Sequence, residues 1–205
     1  MPEWLSCSLA NILPLPLESI MRKENIYFIA IIPPKDICNE INTFKIDFKT
    51  RFLSSAALKT IPHITLKAPF KISPGEHDSL LQWFRALPLT AQPFPIELKD
   101  FEVFGSKHKP VIFVRPLLTD ALRILHEDIL ANFRIAWPEA GIMKNEVDFH
   151  PHITIAYRDL QPEYYEKAWK EYETKKYKAD FIVNSFHLLQ HDASKWNVID
   201  TYELG

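Results

Sequence analysis

The tetrapeptide Pro-His-Ile-Thr occurs twice in the chain, at residues 62–65 and at residues 151–154. Histidine has an ordinary pKa of about 6.5, so two histidines can hold one neutral and one protonated imidazole near neutral pH. A phosphodiester reaction needs both forms, because one group must accept a proton and another must deliver a proton to the departing oxygen. The repeated motif therefore predicts His63 and His152 as an acid–base pair.

The two motifs also present hydroxyl groups beside the histidines. Each motif is rich in β-branched residues, which favours a strand, and alternate side chains of a strand share one face. Thr65 and Thr154 would then donate hydrogen bonds to the non-bridging oxygens of a phosphate. The same alternation places Lys67, and Arg158 if its strand extends that far, as cations for the phosphate charge. The alternative is that the threonines only favour the strand and that both cations are solvated.

Three aromatic residues near the motifs are candidate substrate-binding residues: Phe70, Phe104 and Tyr157. Aromatic rings stack on nucleobases in RNA sites, although packing in the protein core is the alternative for the phenylalanines. His150 shares a face with His152, a pattern that can bind zinc. Because no third ligand is evident in the sequence, we expect neither a metal nor another cofactor.

Matching segments surround the two motifs. In each half an apolar run of strand length and a segment with helical spacing precede the motif, and a second helix and another strand-like run follow it. The strand-like runs outside the motifs are residues 26–32, 94–104, 111–115 and 181–189, with a last strand at 198–202. The chain is therefore predicted to repeat the order strand–helix–strand–helix–strand, at about residues 26–105 and about residues 110–204.

The helical segments carry apolar residues at intervals of three and four, which predicts one buried face on each helix. The residues with this spacing include Ile37, Ile41 and Phe44, then Leu80, Phe84 and Leu87, then Leu122, Leu125, Ile129 and Phe133, and finally Tyr165, Ala168, Trp169 and Tyr172. We predict an α+β fold of two pseudo-symmetric lobes, with antiparallel sheets around a central cleft and helices outside. Such symmetry would place the two motifs across one cleft.

Two His-x-Thr motifs on duplicated β-α-β-α-β units resemble the two-histidine (2H) phosphoesterase superfamily, which includes the 2'-5' RNA ligases and RNA 2',3'-cyclic phosphodiesterases. The resemblance covers about residues 26–204, and proline precedes both motifs. It implies a metal-free hydrolase or transferase that acts on a cyclic or 2'-5' phosphodiester. By the same resemblance His63 would be the general acid toward the 3' oxygen, and His152 would be the base that activates water.

The resemblance leaves the partner and the outcome of binding open. The expected partner is a nucleotide or an RNA end that carries a phosphodiester. The enzyme alternatives act on 2'-5' oligoadenylates, on RNA 3' ends or on a small cyclic phosphate, and ligation by reversal of the same chemistry is also open. The alternative outside enzymes is a module that binds a nucleotide or RNA end without turnover.

Composition and charge restrict the partners and the compartment that we expect for the protein. The net charge is −2 and the pI is about 6.4, so bulk charge does not imply a basic surface for long nucleic acids. Two cysteines without metal-type spacing favour a reducing, cytoplasmic compartment, and no apolar segment reaches the roughly 20 residues that cross a membrane. We expect a monomer with one bilobal domain at residues 21–205, after a loosely ordered extension at residues 1–20.

Overall fold

The computed structural model describes residues 24–205, and the predicted extension at residues 1–20 lies outside the described residues. The strands are β1 (Asn25–Ile31), β2 (Ile64–Ile72), β3 (Phe94–Ser106), β4 (Lys109–Pro116), β5 (Ile153–Ala156), β6 (Lys178–Val183), β7 (Ser185–His191) and β8 (Trp196–Glu203). The helices are α1 (Lys35–Phe52), α2 (His77–Arg85), α3 (Asp120–Ala136), α4 (Lys144–Val147) and α5 (Pro162–Tyr172). Short 3₁₀ turns lie at Ala56–Lys59, Pro74–Glu76 and Pro138–Ala140.

The strands form two four-stranded sheets in which every neighbouring pair is antiparallel. The first sheet has the order β2-β1-β7-β8, and the second has the order β5-β4-β3-β6. The two orders correspond position by position, with the strand that follows each motif histidine at one edge. The prediction of an α+β fold with two pseudo-symmetric, antiparallel lobes is thus confirmed.

Each sheet contains strands from both halves of the sequence repeat. β3 follows the helices of the first half, yet it pairs with β4 and β6 in the second sheet. β7 and β8, at the end of the second half, complete the first sheet by pairing from β1 outward. A tight hairpin explains the first exchange, because Ser106 pairs with Lys109 and leaves only two residues in the turn. Gly105 enters this turn at φ +90, where a side chain would collide with the Lys109 carbonyl.

The predicted single strand at residues 181–189 is wrong, because this segment forms two strands. β6 pairs with β3 in the second sheet, and β7 pairs with β1 in the first sheet. The chain passes between the sheets at Asn184, whose carbonyl accepts a hydrogen bond from Leu204 N at 2.8 Å. Apolar residues occur in both strands, and both strands have buried residues. The apolar composition alone therefore does not mark where one strand ends and the next begins.

The long helices also cross between the halves. α1 packs against β5, and α3 packs against β2, so each motif strand is covered by the helix of the other half. The apolar positions on these helices are buried in one continuous core, as their spacing predicts. Thr119 caps α3 by accepting a hydrogen bond from Leu122 N, and α1 ends at Leu53 in the left-handed region. Among residues 24–205, none of the helices has the length and apolar character for a membrane crossing.

Candidate active site

One cavity of about 430 Å³ is lined by both motifs. His63 and Thr65 line it from the first sheet, and His152 and Thr154 line it from the second sheet. The histidines stand at the residue before β2 and the residue before β5, where the chain enters each edge strand. We call this cavity the cleft.

The two imidazoles are oriented by the same local contact. His63 Nδ1 lies 2.7 Å from the Ile61 carbonyl, and His152 Nδ1 lies 2.8 Å from the His150 carbonyl. A carbonyl oxygen can only accept, so each Nδ1 carries the hydrogen and donates it. Nε2 of a neutral ring therefore keeps its lone pair and can act as a base, whereas a protonated ring can donate from Nε2.

His63 is half-buried and packs against one aromatic ring. The Phe28 ring lies 4.9 Å from the imidazole, and Trp196 packs edge-on against Phe28 at 4.5 Å. Burial lowers the pKa of His63 to about 4, and the positive charges of Lys45 and His152 add to this effect. The hydrogen bond to Ile61 acts in the opposite sense but is outweighed. His63 is therefore neutral at pH 7 when the cleft is empty.

His152 has a comparable but separate aromatic environment. Phe104 lies 5.0 Å from its ring and Phe113 lies 5.7 Å away, both in edge-on orientations. Burial lowers the pKa of His152 as well, and the charge of His150 contributes in the same direction. Phe104 keeps 38% of its surface exposed, so the predicted substrate-binding residue does lie open beside a motif histidine.

Arg158 and Tyr157 line the cleft, but the strand alternation behind the Arg158 prediction does not hold. β5 ends at Ala156, and Arg158 adopts φ +55, in the left-handed region that non-glycine residues seldom occupy. The turn directs the guanidinium over the Tyr157 ring, 5.0 Å from its centre. The next residue, Asp159, accepts hydrogen bonds from Ser55 N at 2.8 Å and Ala56 N at 2.9 Å, which ties this turn to the segment before the first motif.

The prediction that Lys67 shares the face of His63 is wrong. β2 is irregular against β1, since Ala30 pairs with Thr65 while Ile29 pairs with Lys67. The extra residue reverses the alternation and turns Lys67 into the core, where it is 1% exposed. Its ammonium lies 3.0 and 3.1 Å from the two Glu146 carboxylate oxygens. Lys67 is thus a buried ion-pair residue and does not line the cleft.

The substrate-binding prediction for Phe70 is also wrong. Phe70 has the parity of the buried Ile64 and Leu66, and a second irregularity of β2 restores this alternation after Lys67. Its ring is buried between Tyr27 and Phe133 at centroid distances of 5.9 and 4.6 Å. Core packing, the alternative stated for the phenylalanines, applies to Phe70. Of the three aromatic candidates, Phe104 and Tyr157 remain near the motif histidines.

Several residues of the cleft were not predicted from the sequence. They are Ile26, Phe28, Lys45, Ala57, Thr60, Pro69, His191 and Trp196. Lys45 is the one with a detectable signal, because it continues the buried stripe of α1 at four-residue intervals from Ile37 and Ile41. A charged residue within an apolar stripe is seldom buried without a reason. Within residues 24–205, no three His, Cys, Asp or Glu side chains converge with the geometry of a metal site.

Comparison with known families finds a match that covers most of the chain. A model of the 2'-5' RNA ligase superfamily matches residues 33–195. A Geobacillus kaustophilus protein named "Putative phosphoesterase" is 30% identical over 180 residues, which cover 87% of this chain and 96% of the relative. A Geobacillus thermodenitrificans relative is 29% identical over 180 residues, with the same two coverages.

Solved structures with the same fold have much lower sequence identity. Escherichia coli LigT, crystallised with 3'-AMP, superposes with a TM-score of 0.61 at 17% identity, covering 89% of this chain and 99% of LigT. A protein from Thermus thermophilus also gives 0.61 at 17% identity, covering 87% of this chain and 97% of that one. At such identity these two likenesses show the fold alone.

Proposed function

The chain belongs to the 2'-5' RNA ligase superfamily of two-histidine phosphoesterases, and we propose that it cleaves a cyclic or 2'-5' phosphodiester of a nucleotide or RNA end without a metal. One observation carries the proposal. Two imidazoles, each held at Nδ1 by a backbone carbonyl, line one cleft from opposite sheets and keep Nε2 for proton transfer.

The reaction on a 2',3'-cyclic phosphate uses both nitrogens. The neutral imidazole takes a proton from water, and the water oxygen forms a bond to phosphorus. The bond between phosphorus and the 3' oxygen breaks, and the protonated imidazole delivers a proton to that oxygen. The products are a 2'-phosphate and a free 3' hydroxyl. Following the family resemblance, we assign His152 as the base and His63 as the acid.

The acid must gain its proton when the substrate enters. The pKa of His63 is lowered to about 4 and that of His152 is also lowered, so both rings are neutral in an empty cleft at pH 7. A bound phosphate brings negative charge next to the rings, and this charge favours an imidazolium. Substrate binding is thereby coupled to the protonation that the reaction needs.

The reaction also requires that charge on the non-bridging oxygens is stabilised. Hydroxyl and guanidinium groups in the cleft can do this. Thr65 and Thr154 line the cleft beside their histidines, and Arg158 lines it from the turn after β5. Preorganised donors of this kind lower the energy of a transition state in which charge spreads over phosphate oxygens. Crystals of LigT with 3'-AMP, with ATP and with NADP+ support a nucleotide as the class of ligand.

Turnover of 2',3'-cyclic AMP in the presence of a chelator tests the proposal. We expect 2'-AMP as product, and we expect His63→Ala and His152→Ala each to lower kcat/KM by about 10²- to 10⁴-fold. His187→Ala is the matched control, because His187 hydrogen-bonds to Thr201 and does not line the cleft.

Three outcomes of this assay contradict the proposal. The first is activity that the chelator abolishes, and the second is activity that survives loss of either motif histidine. The third is binding of cyclic and 2'-5' diesters with hydrolysis of neither, which would instead support a nucleotide-binding module.

A further inference from the structure

Lys45 is a buried lysine that lines the cleft. It extends from α1, is 2% exposed, and lines the cavity together with His63 and Thr60. Its Nζ donates one hydrogen bond, to the Thr60 carbonyl at 2.9 Å. An ammonium has three donor hydrogens, so two remain for another acceptor.

The charge of Lys45 has no carboxylate partner within residues 24–205. Lys67, the other fully buried lysine, shows the usual arrangement, with Glu146 at 3.0 Å. Two titratable groups act on Lys45 or respond to it, namely Cys38 on its own helix and His63 before β2. Burial raises the pKa of the Cys38 thiol to about 11, so Cys38 offers no negative charge near pH 7.

The buried and unpaired ammonium of Lys45 destabilises the folded protein when no ligand is bound. Burial lowers the pKa of Lys45 to about 8, which means that the ammonium is destabilised but still mostly charged at pH 7. A buried, unpaired charge that lines a cavity is a candidate for a ligand-binding site, because a bound anion would supply the opposite charge.

We propose that Lys45 binds a non-bridging oxygen of the substrate phosphate, on the His63 side of the cleft, and is the main anion-binding cation of that side. The proposal rests on the proposed function for the identity of the ligand, but its geometry requires only a tetrahedral oxyanion. The phosphate replaces the missing carboxylate, accepts the two remaining hydrogens, and removes the repulsion that Lys45 exerts on a protonated His63.

Sulfate binding, measured by titration calorimetry at pH 7, tests this role without any turnover. We expect Lys45→Met to weaken sulfate binding by about 10- to 100-fold, since a hydrogen bond to a charged group is lost in a buried setting. The control is Lys59→Met, which removes the same charge from an exposed side chain one residue from Thr60 and outside the cleft lining. That variant should change the affinity by less than about threefold, as screened surface charges do.

Two further measurements separate ligand binding from a structural role. Lys45→Met should keep or raise the melting temperature, because it removes a buried charge that folding must desolvate. Wild-type sulfate affinity should fall as the pH rises above about 8, where the empty cleft deprotonates Lys45. Lys45→Arg should keep its affinity at this pH, because arginine stays charged.

The inference is overturned if wild-type protein binds no sulfate, if Lys45→Met and Lys59→Met weaken binding equally, or if Lys45→Met lowers the melting temperature and leaves the affinity intact. Failure of the proposed function is a different result. Sulfate binding that depends on Lys45, in a protein that hydrolyses no cyclic or 2'-5' diester, would keep the anion site and remove the enzyme.

Discussion

The two sides of the cleft hold their histidines in the same way but surround them differently. Each imidazole is fixed by the carbonyl two residues before it, and each motif strand is covered by the long helix of the other half. The buried Lys45 stands on the His63 side, whereas the exposed Arg158 stands on the His152 side. The two sides therefore share the direction of their imidazoles, while the charges around the imidazoles differ.

The strands that follow the motifs diverge in the same manner. β2 continues for nine residues and carries an irregularity that buries Lys67 against Glu146. β5 stops after four residues and turns through Arg158. Beyond the threonine, neither side keeps the simple alternation of a strand. The symmetry of this site is therefore local to His-x-Thr, and the residues that follow each threonine set the chemistry of each side.

The acid and base assignment gives the largest expected difference between the two sides. A diester with a nitrophenolate leaving group needs little protonation on departure, so it should rescue the loss of the acid but not the loss of the base. We expect His63→Ala to recover to within about tenfold of wild type on this substrate, while His152→Ala stays about 10²- to 10⁴-fold slower. Steady-state rates on 2',3'-cyclic AMP and on the nitrophenyl diester provide the measurement. The reverse pattern would exchange the two roles.

The buried ion pair on the first side gives the next largest effect, which is on stability. Glu146 accepts hydrogen bonds from Lys67 Nζ, from Ala68 N at 2.7 Å and from Met143 N at 2.7 Å. Glu146→Ala leaves a buried cation unpaired and should lower the free energy of unfolding by about 3–5 kcal/mol in urea titrations.

The double variant Lys67→Met/Glu146→Leu is the control for this prediction. It removes both charges together, so it should recover the part of the loss that comes from the unpaired cation, while Ala68 N and Met143 N still lack their acceptor. Equal unfolding midpoints for Glu146→Ala and wild type would show that the ion pair does not hold β2 to the segment before the second motif.

The pH profile is the most sensitive comparison and the smallest effect. Burial lowers the pKa of His63 and His152 in the free protein. As the pH rises, the acid therefore loses its proton before pH 6.5 is reached. We expect kcat/KM for 2',3'-cyclic AMP to peak on the acidic side of pH 6.5 and to fall as the pH rises. The optimum of kcat should lie at higher pH, since bound phosphate favours the protonated ring. Coincident optima for kcat and kcat/KM would show that the substrate does not change the protonation of the site.

Much of this fold could be predicted from local patterns. The histidine motifs, the apolar stripes of α1 and α3 and the strand order along the chain depend on spacing within a few residues. Pairing partners of distant segments have no such signal, so the pairing of β7 with β1 is not marked in the local sequence, unlike the hairpin that joins β3 to β4. The break at Asn184 belongs to the same class, because it is fixed by where β6 and β7 find their partners.

The sequence predicts the site residues correctly where the side chains of each motif strand alternate between its two faces. Thr65 and Thr154 follow their histidines by two residues and line the cleft with them. Simple alternation predicts Lys67 on the His63 face, but a one-residue irregularity reverses the alternation at Lys67 before a second irregularity restores it. Lys45 was visible as a charge on an apolar stripe, but its position beside His63 depends on the packing of α1 against the other half of the chain.

The exchange of strands has a consequence for the integrity of the protein. A cut in the hairpin between Ser106 and Lys109 would separate β1, β2 and β3 from all the strands that complete their sheets. Neither fragment would contain a whole sheet, and each would retain one of the two histidines. Any activity recovered on mixing the fragments would therefore report their reassembly, and the cleft is a joint product of the two segments.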